Sequence, residues 1–86
     1  MIILDASKMK TRTDAHAYLK EALSFPDYYG RNLDALYDCL TELGRTEVAF
    51  VHTEGAGDFF QKILRVFKDA HKANPDLVIV DEKEAA

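Results

Sequence analysis

The fold of this chain is decided by residues 47–80, EVAFVHTEGAGDFFQKILRVFKDAHKANPDLVIV. The stretch opens with an apolar run that predicts a strand over Glu47–His52, covered on both faces of its sheet. It closes with a second apolar run. Between the two, apolar residues recur at helical spacing from Gly57 or Asp58 to about Lys72. A strand, a helix and a strand in this order predict two parallel strands joined by a right-handed crossover.

The N-terminal part predicts a further strand and helix. Ile2–Leu4 is typical of a short buried strand, ending at Asp5. Apolar side chains at helical spacing then predict a helix over Asp14–Leu23, capped by Thr13 or Asp14. The segment Ser24-Phe25-Pro26 stops this helix, because the residue before a proline avoids helical geometry.

A second helix follows a loop in which Gly30 is the flexible point. Asn32 is suited to cap this helix, which runs to about Leu43 with Gly44 in the C′ position. The last strand is Leu77–Val80.

The resulting order is β-α-α-β-α-β. It predicts an α/β fold with a three-stranded parallel sheet packed with about three helices. We expect residues 1–81 to form a single domain and residues 82–86 to form a polar tail.

Composition limits the classes of function. The chain has 86 residues and a formal net charge of -4, which disfavours nucleic acid as a direct partner because binding it requires neutralising phosphates. Cys39 is the single cysteine, so no internal disulfide is expected. The apolar start at Met1–Leu4 is too short for a signal peptide or a membrane span. We therefore expect a cytoplasmic protein with no membrane association, monomeric when free.

An acidic helix face is the main functional candidate. On a helical wheel, the second helix places Asp34, Asp38, Thr41 and Glu42 opposite its leucines, with Tyr37 at the boundary. Like charges at i and i+4 repel, so this spacing needs a reason. Two interpretations remain open: a binding face for a cationic partner, or a solvated face in which Asp34 is favoured by the helix dipole.

The loop before this helix adds aromatic and acidic residues to the same end of the molecule. Asp27 contributes a further carboxylate. Of Tyr28 and Tyr29, we expect one to pack against the first helix or the core and the other to be exposed. An exposed tyrosine beside carboxylates is typical of an interface anchor.

The residues give no indication of catalysis, and we predict no enzyme, metal or cofactor. Cys39 lies near the buried stripe of its helix, which favours a packed thiol. The three histidines, His16, His52 and His71, lie on different elements without ligand spacing. Asp69 in the third helix can pair with Arg65 one turn earlier.

The stretch Tyr28-Tyr29-Gly30-x-Asn32-Leu33-Asp34-Ala35-Leu36-x-Asp38-Cys39-Leu40 closely resembles the signature of the barstar family, intracellular inhibitors of barnase-type ribonucleases. Val66–Ala70 is similar to the last helix of that family. The resemblance implies a small parallel sheet on helices and a protein that blocks a ribonuclease active site with its second helix and the preceding loop.

The resemblance also implies individual roles. Asp38 would be the central anchor, in the place of a substrate phosphate, while Asp34 would pair with another basic group and Tyr28 would stack on the catalytic histidine of the ribonuclease. Asp69 matches an outlying glutamate of the family. The remaining contact residues would be Tyr29, Gly30, Asn32, Leu33, Ala35 and Tyr37.

Several positions depart from the family pattern. Tyr37 and the pair Glu42-Leu43 stand where the family has a tryptophan and a glycine-tryptophan pair. The stretch Thr53–Asp58 is shorter, with little room for a short helix found there in the family. Such changes at the rim can alter specificity while the central charges are kept.

The working hypothesis is an inhibitor of a small basic ribonuclease of the barnase type, with no cofactor. One alternative is a binding module of the same fold for another cationic protein, such as a toxin or a regulator. An enzyme would need a concave site with a perturbed acid or base. A mimic of nucleic acid would need acid spread over a larger surface than one helix.

Overall fold

The computed structural model describes residues 1–80, so the predicted tail at 82–86 lies outside the described residues. The strands are β1 (Ile2–Asp5), β2 (Thr46–Val51) and β3 (Leu77–Val80). The helices are α1 (Arg12–Ala22), α2 (Leu33–Thr41) and α3 (Asp58–Ala73). The strands form one parallel sheet in the order β1-β2-β3. The predicted α/β class and the β-α-α-β-α-β order are confirmed.

Among residues 1–80, the helices cover only one face of the sheet, which contradicts the prediction that β2 is covered on both faces. Side chains alternate along each strand. Leu4, Phe50 and Leu77 belong to the same buried cluster as side chains from all three helices. Ile3 lies on the opposite face and is 50% exposed. With neighbouring strands in chain order, right-handed crossovers place every connecting helix on the same side.

The outer face of the sheet is nevertheless apolar, which explains the misleading sequence pattern. The register aligns Ile3, Ala49 and Val80 across the three strands. Ala49 is only 3% exposed, because its small side chain lies between larger neighbours. A continuous apolar run therefore does not require cover on both faces in this small sheet.

Helix α1 begins before the predicted position. Thr11 is its N-cap, and the Thr11 hydroxyl accepts a hydrogen bond from the backbone N–H of Asp14 at 3.2 Å. The first turn carries no apolar residue, so the apolar spacing on which the prediction rested starts too late. A short 3-10 helix at Ala6–Lys8 was also not predicted; it is capped by the Asp5 carboxylate, which accepts from the N–H of Ser7 at 3.0 Å.

Helix α2 ends at Thr41, and the prediction that Gly44 occupies the C′ position is wrong. Glu42 is the C-cap, and Gly44 is not in the left-handed region. A side chain from another element closes this end instead. The Asn74 amide donates hydrogen bonds to the carbonyls of Leu40 at 3.0 Å and Leu43 at 2.9 Å. The end of α2 is thereby attached to the end of α3.

Candidate functional site

The N-terminus of α2 is held by the predicted cap. The Asn32 side-chain oxygen accepts from the N–H of Ala35 at 2.7 Å, which satisfies one of the free donors of the first turn. The Asn32 amide also donates to the Gly30 carbonyl at 3.3 Å. These bonds fix the direction in which α2 leaves the loop.

Burial sorts the side chains of α2 as the helical wheel predicts. Leu36 and Leu40 are fully buried, while Leu33, Ala35 and Cys39 are partly buried. The carboxylates of Asp34 and Asp38 are exposed, and Tyr37 is 36% exposed at the boundary. α2 therefore presents an acidic face to solvent.

The two aspartates of this face are unpaired in the free protein. Among residues 1–80, neither carboxylate has an ion-pair or hydrogen-bond partner. They lie one turn apart, where like charges repel by a few tenths of a kcal/mol. By contrast, Asp27 in the preceding loop forms an ion pair with Lys20 at 3.3 Å. Asp27 is thus partly neutralised, unlike the two aspartates of α2.

The two tyrosines of the loop take opposite positions, which confirms the prediction that one packs and the other is exposed. Tyr28 is 87% exposed, whereas Tyr29 is 5% exposed. The Tyr29 ring packs against Phe25 with centroids 4.9 Å apart, and its hydroxyl shares a 2.5 Å hydrogen bond with Nδ1 of His16. Tyr29 therefore anchors the loop to α1, and Tyr28 is left available for contact.

His16 was missed as a structural residue by the sequence reasoning. Its side chain is buried, and Nε2 has no hydrogen-bond partner among the described residues. Burial lowers the pKa of His16, and the nearby charges of Arg12 and Arg31 lower it further. Burial also raises the pKa of the Tyr29 hydroxyl. The His16–Tyr29 pair is thus neutral near pH 7. The two residues are thirteen positions apart, a separation that matches no helix or strand period, so the sequence pattern does not indicate the pair.

Gly30 is important for space rather than for flexibility. The left-handed backbone of this loop lies at Arg31, with φ of 53°, and not at Gly30. A Cβ atom added at Gly30 would lie 3.3 Å from Cβ of Ala35. The glycine therefore allows the loop to pass close to the first turn of α2.

Asp69 lies apart from α2, on the exposed surface of α3. The predicted pair between Asp69 and Arg65 is absent from the ion pairs of residues 1–80. Asp69 lines a shallow groove of about 740 Å³ that also includes Leu33 of α2. The groove thus connects Asp69 to the first turn of α2.

The remaining chemistry of this region is not that of a nucleophile or a metal site. Burial raises the pKa of the Cys39 thiol, and the carboxylates of Glu42 and Asp38 raise it further, which disfavours the reactive thiolate. Within residues 1–80, no three His, Cys, Asp or Glu side chains form a group that could hold a metal ion.

No helix in the same range is long and apolar enough to cross a membrane. The segment 52–57 contains a turn and no helix.

Comparison with known proteins agrees with the residue pattern. The family model of Barstar, described as barnase inhibitor, matches residues 1–81 of this chain. Over 40 residues the chain is 58% identical to a protein of Bacillus subtilis (strain 168) named "Putative ribonuclease inhibitor YrdF". The matched stretch covers 46% of this chain and 44% of that relative, so the match spans less than half of the relative's length.

Proposed function

This chain belongs to the barstar family, and we propose that it inhibits a small basic ribonuclease of the barnase type by covering its active site with α2 and the preceding loop. Membership of this family indicates an inhibitor and not an enzyme. The observation that carries the proposal is the exposed, unpaired pair Asp34 and Asp38 beside the exposed Tyr28.

In the proposed complex, Asp38 stands in the place of a substrate phosphate. Cationic side chains of a ribonuclease active site bind phosphate, and a carboxylate offers them the same charge-assisted hydrogen bonds. Asp38 is available for this role because no cation of residues 1–80 competes for it. Asp34 pairs with a second basic group, and the exposed acidic face raises the association rate with a cationic enzyme.

The other proposed contact residues divide by position. Tyr28 stacks on the catalytic histidine of the ribonuclease, and Tyr37 and Asp69 contact the rim. Tyr29 is buried, so we assign it the role of positioning the loop. Gly30 allows the backbone of the loop to come close to the ribonuclease. The start of α2, which the Asn32 cap holds in place, contributes Asn32, Leu33 and Ala35. We propose that the inhibitor acts in the cytoplasm as a monomer that binds one ribonuclease.

The test is inhibition of small guanyl-specific ribonucleases of the barnase type by the native chain and by Asp38→Ala. Removing one member of a desolvated charge pair costs about 2–5 kcal/mol, which is roughly a 30- to 5,000-fold weaker inhibition constant. That range includes values from the barnase–barstar complex itself, so it is a family value rather than an independent estimate.

A matched comparison uses Asp38→Asn and Asp76→Asn, each of which removes one exposed carboxylate. Asp76→Asn is the control, because Asp76 lies in the turn between α3 and β3. We expect Asp76→Asn to inhibit like the native chain. Failure of the folded native chain to inhibit any ribonuclease of a panel would contradict the proposal and favour another cationic protein partner.

A further inference from the structure

The exposed side of α3 is strongly basic, although the chain as a whole carries a net charge of -4. Lys62, Arg65, Lys68 and Lys72 follow one another at helical spacing, and all four are exposed. All four line the shallow groove that contains Asp69. We call this surface, defined by the four cations, the α3 groove.

The spacing of the four cations does not by itself favour the helix. Like charges three and four residues apart on a helix repel. Within the described part of the chain, none of the four cations forms an ion pair, and Asp69 is also unpaired. The groove also contains Leu33, Leu64 and Val66, which are only partly buried. An unpaired charged rim around partly exposed apolar side chains is typical of a surface that binds a partner.

The α3 groove is continuous with the acidic face of α2. Leu33 lines the groove, and Lys62 and Asp34 line one smaller cleft of about 330 Å³ at the start of α2. The acidic face and the basic groove therefore meet at Asp34 and Lys62. A protein seated on α2 would extend over α3.

We propose that the α3 groove is a second, specificity-determining half of the ribonuclease-binding surface, and that it takes an acidic patch of the ribonuclease beside its cationic active site. This inference rests on the proposed function. The partner would carry carboxylates opposite Lys62 and Arg65, and a ribonuclease with basic residues there would be rejected. A protein surface of mixed charge fits better than RNA, because Asp34 and Asp38 would repel a continuous line of phosphates.

The test uses the full chain with Lys62→Glu and Arg65→Glu combined. The control is Lys10→Glu combined with Arg45→Glu, which changes the net charge equally at exposed positions on connecting segments. Lys68→Glu combined with Lys72→Glu serves as a second groove variant, and circular dichroism checks that each variant is folded. Inhibition constants are measured against a panel of barnase-type ribonucleases that differ in acidic residues beside the active site.

For ribonucleases with an acidic patch, we expect the groove variants to inhibit at least about 10-fold more weakly than the control at low salt. The difference should shrink severalfold at about 0.5 M salt, because exposed charges are screened. Ribonucleases without the patch should not distinguish the groove variants from the control.

Three results would overturn the inference. If Asp38→Ala loses inhibition while both groove variants inhibit like the control across the panel, the groove is not part of the interface and the proposed function stands. If the native chain inhibits no ribonuclease, both fail. If, in the absence of a ribonuclease, the native chain binds a fluorescein-labelled single-stranded RNA and the groove variants do not, the groove binds RNA instead.

Discussion

At the scale of single residues, the adjacent Tyr28 and Tyr29 serve different purposes. Tyr28 is exposed and makes no hydrogen bond or ring contact within residues 1–80, whereas Tyr29 forms a buried hydrogen bond with His16 on α1. That contact holds the loop from which α2 starts. His16 is therefore connected to the proposed binding surface through packing and not through direct contact.

The buried His16 predicts a dependence of stability on pH. Its pKa is lowered in the folded protein, while the pKa of an unfolded histidine is about 6.5. Below that value the unfolded chain binds more protons than the folded one. The free energy of unfolding should therefore be highest above pH about 7 and fall toward pH about 5, by at most about 1.4 kcal/mol per pH unit. Urea unfolding at several pH values measures this.

His16→Gln should remove most of that slope, because glutamine does not titrate. His71→Gln is the control and should retain it, since His71 is exposed and glutamine can donate to the same Leu77 carbonyl. Equal slopes for the native chain and His16→Gln would contradict the assignment. Asp5 does not interfere in this range: hydrogen bonds from Ser7 lower its pKa, so its contribution is lost only in more acidic solution.

At the scale of elements, α2 is closed at both ends by asparagine side chains. Asn32 caps its N-terminus from the adjoining loop. Asn74 closes its C-terminus from the end of α3, and is buried. A helix of nine residues is too short to be stable alone, so these two amides and the packing against α3 maintain it.

Replacing the two asparagines should have unequal effects on stability. Asn32→Ala should lower the free energy of unfolding by about 0.5–2 kcal/mol, the usual effect of losing an N-cap. Asn74→Ala should cost more, about 2–4 kcal/mol, because it removes three hydrogen bonds. The Leu43 carbonyl just beyond α2 loses the Asn74 donor, and the Leu40 carbonyl keeps a longer bond from the N–H of Leu43 at 3.4 Å. Urea unfolding midpoints at constant m-value measure both.

Asn74→Asp is the matched control for the donor role. Aspartate keeps the shape of the side chain and the oxygen that accepts from the N–H of Asp76, but it cannot donate to Leu40 and Leu43. It should therefore destabilise the protein at least as much as Asn74→Ala, because a carboxylate placed opposite two carbonyl oxygens at this buried position is also repelled and desolvated. A stability close to that of the native chain would show that the bonds to α2 contribute little.

At the scale of the whole molecule, the part of the chain that the structure describes leaves the sheet with one covered face and one open face. The helices cover the face that carries Leu4, and Ile3 on the other face stays half exposed. The acidic face of α2 and the α3 groove lie on helices, so the proposed binding surface is separated from the open sheet face by the core.

Two neighbouring substitutions in β1 should lower the free energy of unfolding by very different amounts, because one lies on the covered face of the sheet and the other on the open face. Leu4→Ala should cost about 2–5 kcal/mol of unfolding free energy, since Leu4 is fully buried. Ile3→Thr should cost less than about 1 kcal/mol, because threonine keeps the β-branched shape at a half-exposed position. Urea unfolding of the two variants decides the point, and equal costs would mean that the outer face is covered in solution.

Much of the fold could be predicted because it follows from local patterns. The β-α-α-β-α-β order, the Asn32 cap and the sorting of leucines from aspartates on α2 depend on spacing along the chain. The helix ends were less predictable, since α1 begins in a turn without apolar residues. Whether β2 is covered on one face or on both depends on the side of the sheet on which the connecting helices lie. An apolar run along the strand does not determine that side.

The sequence by itself determined the class of fold, the acidic face of α2 and the resemblance that identified the family, because these reside in residue types at short spacing. Only the tertiary structure decided which tyrosine is buried, what closes the C-terminus of α2 and which charges are left unpaired. His16 and Tyr29 are thirteen residues apart, and Asn74 is over thirty residues from the carbonyls it binds. Such contacts form only when α1, α2 and α3 pack on one face of the sheet, so no local pattern could specify them.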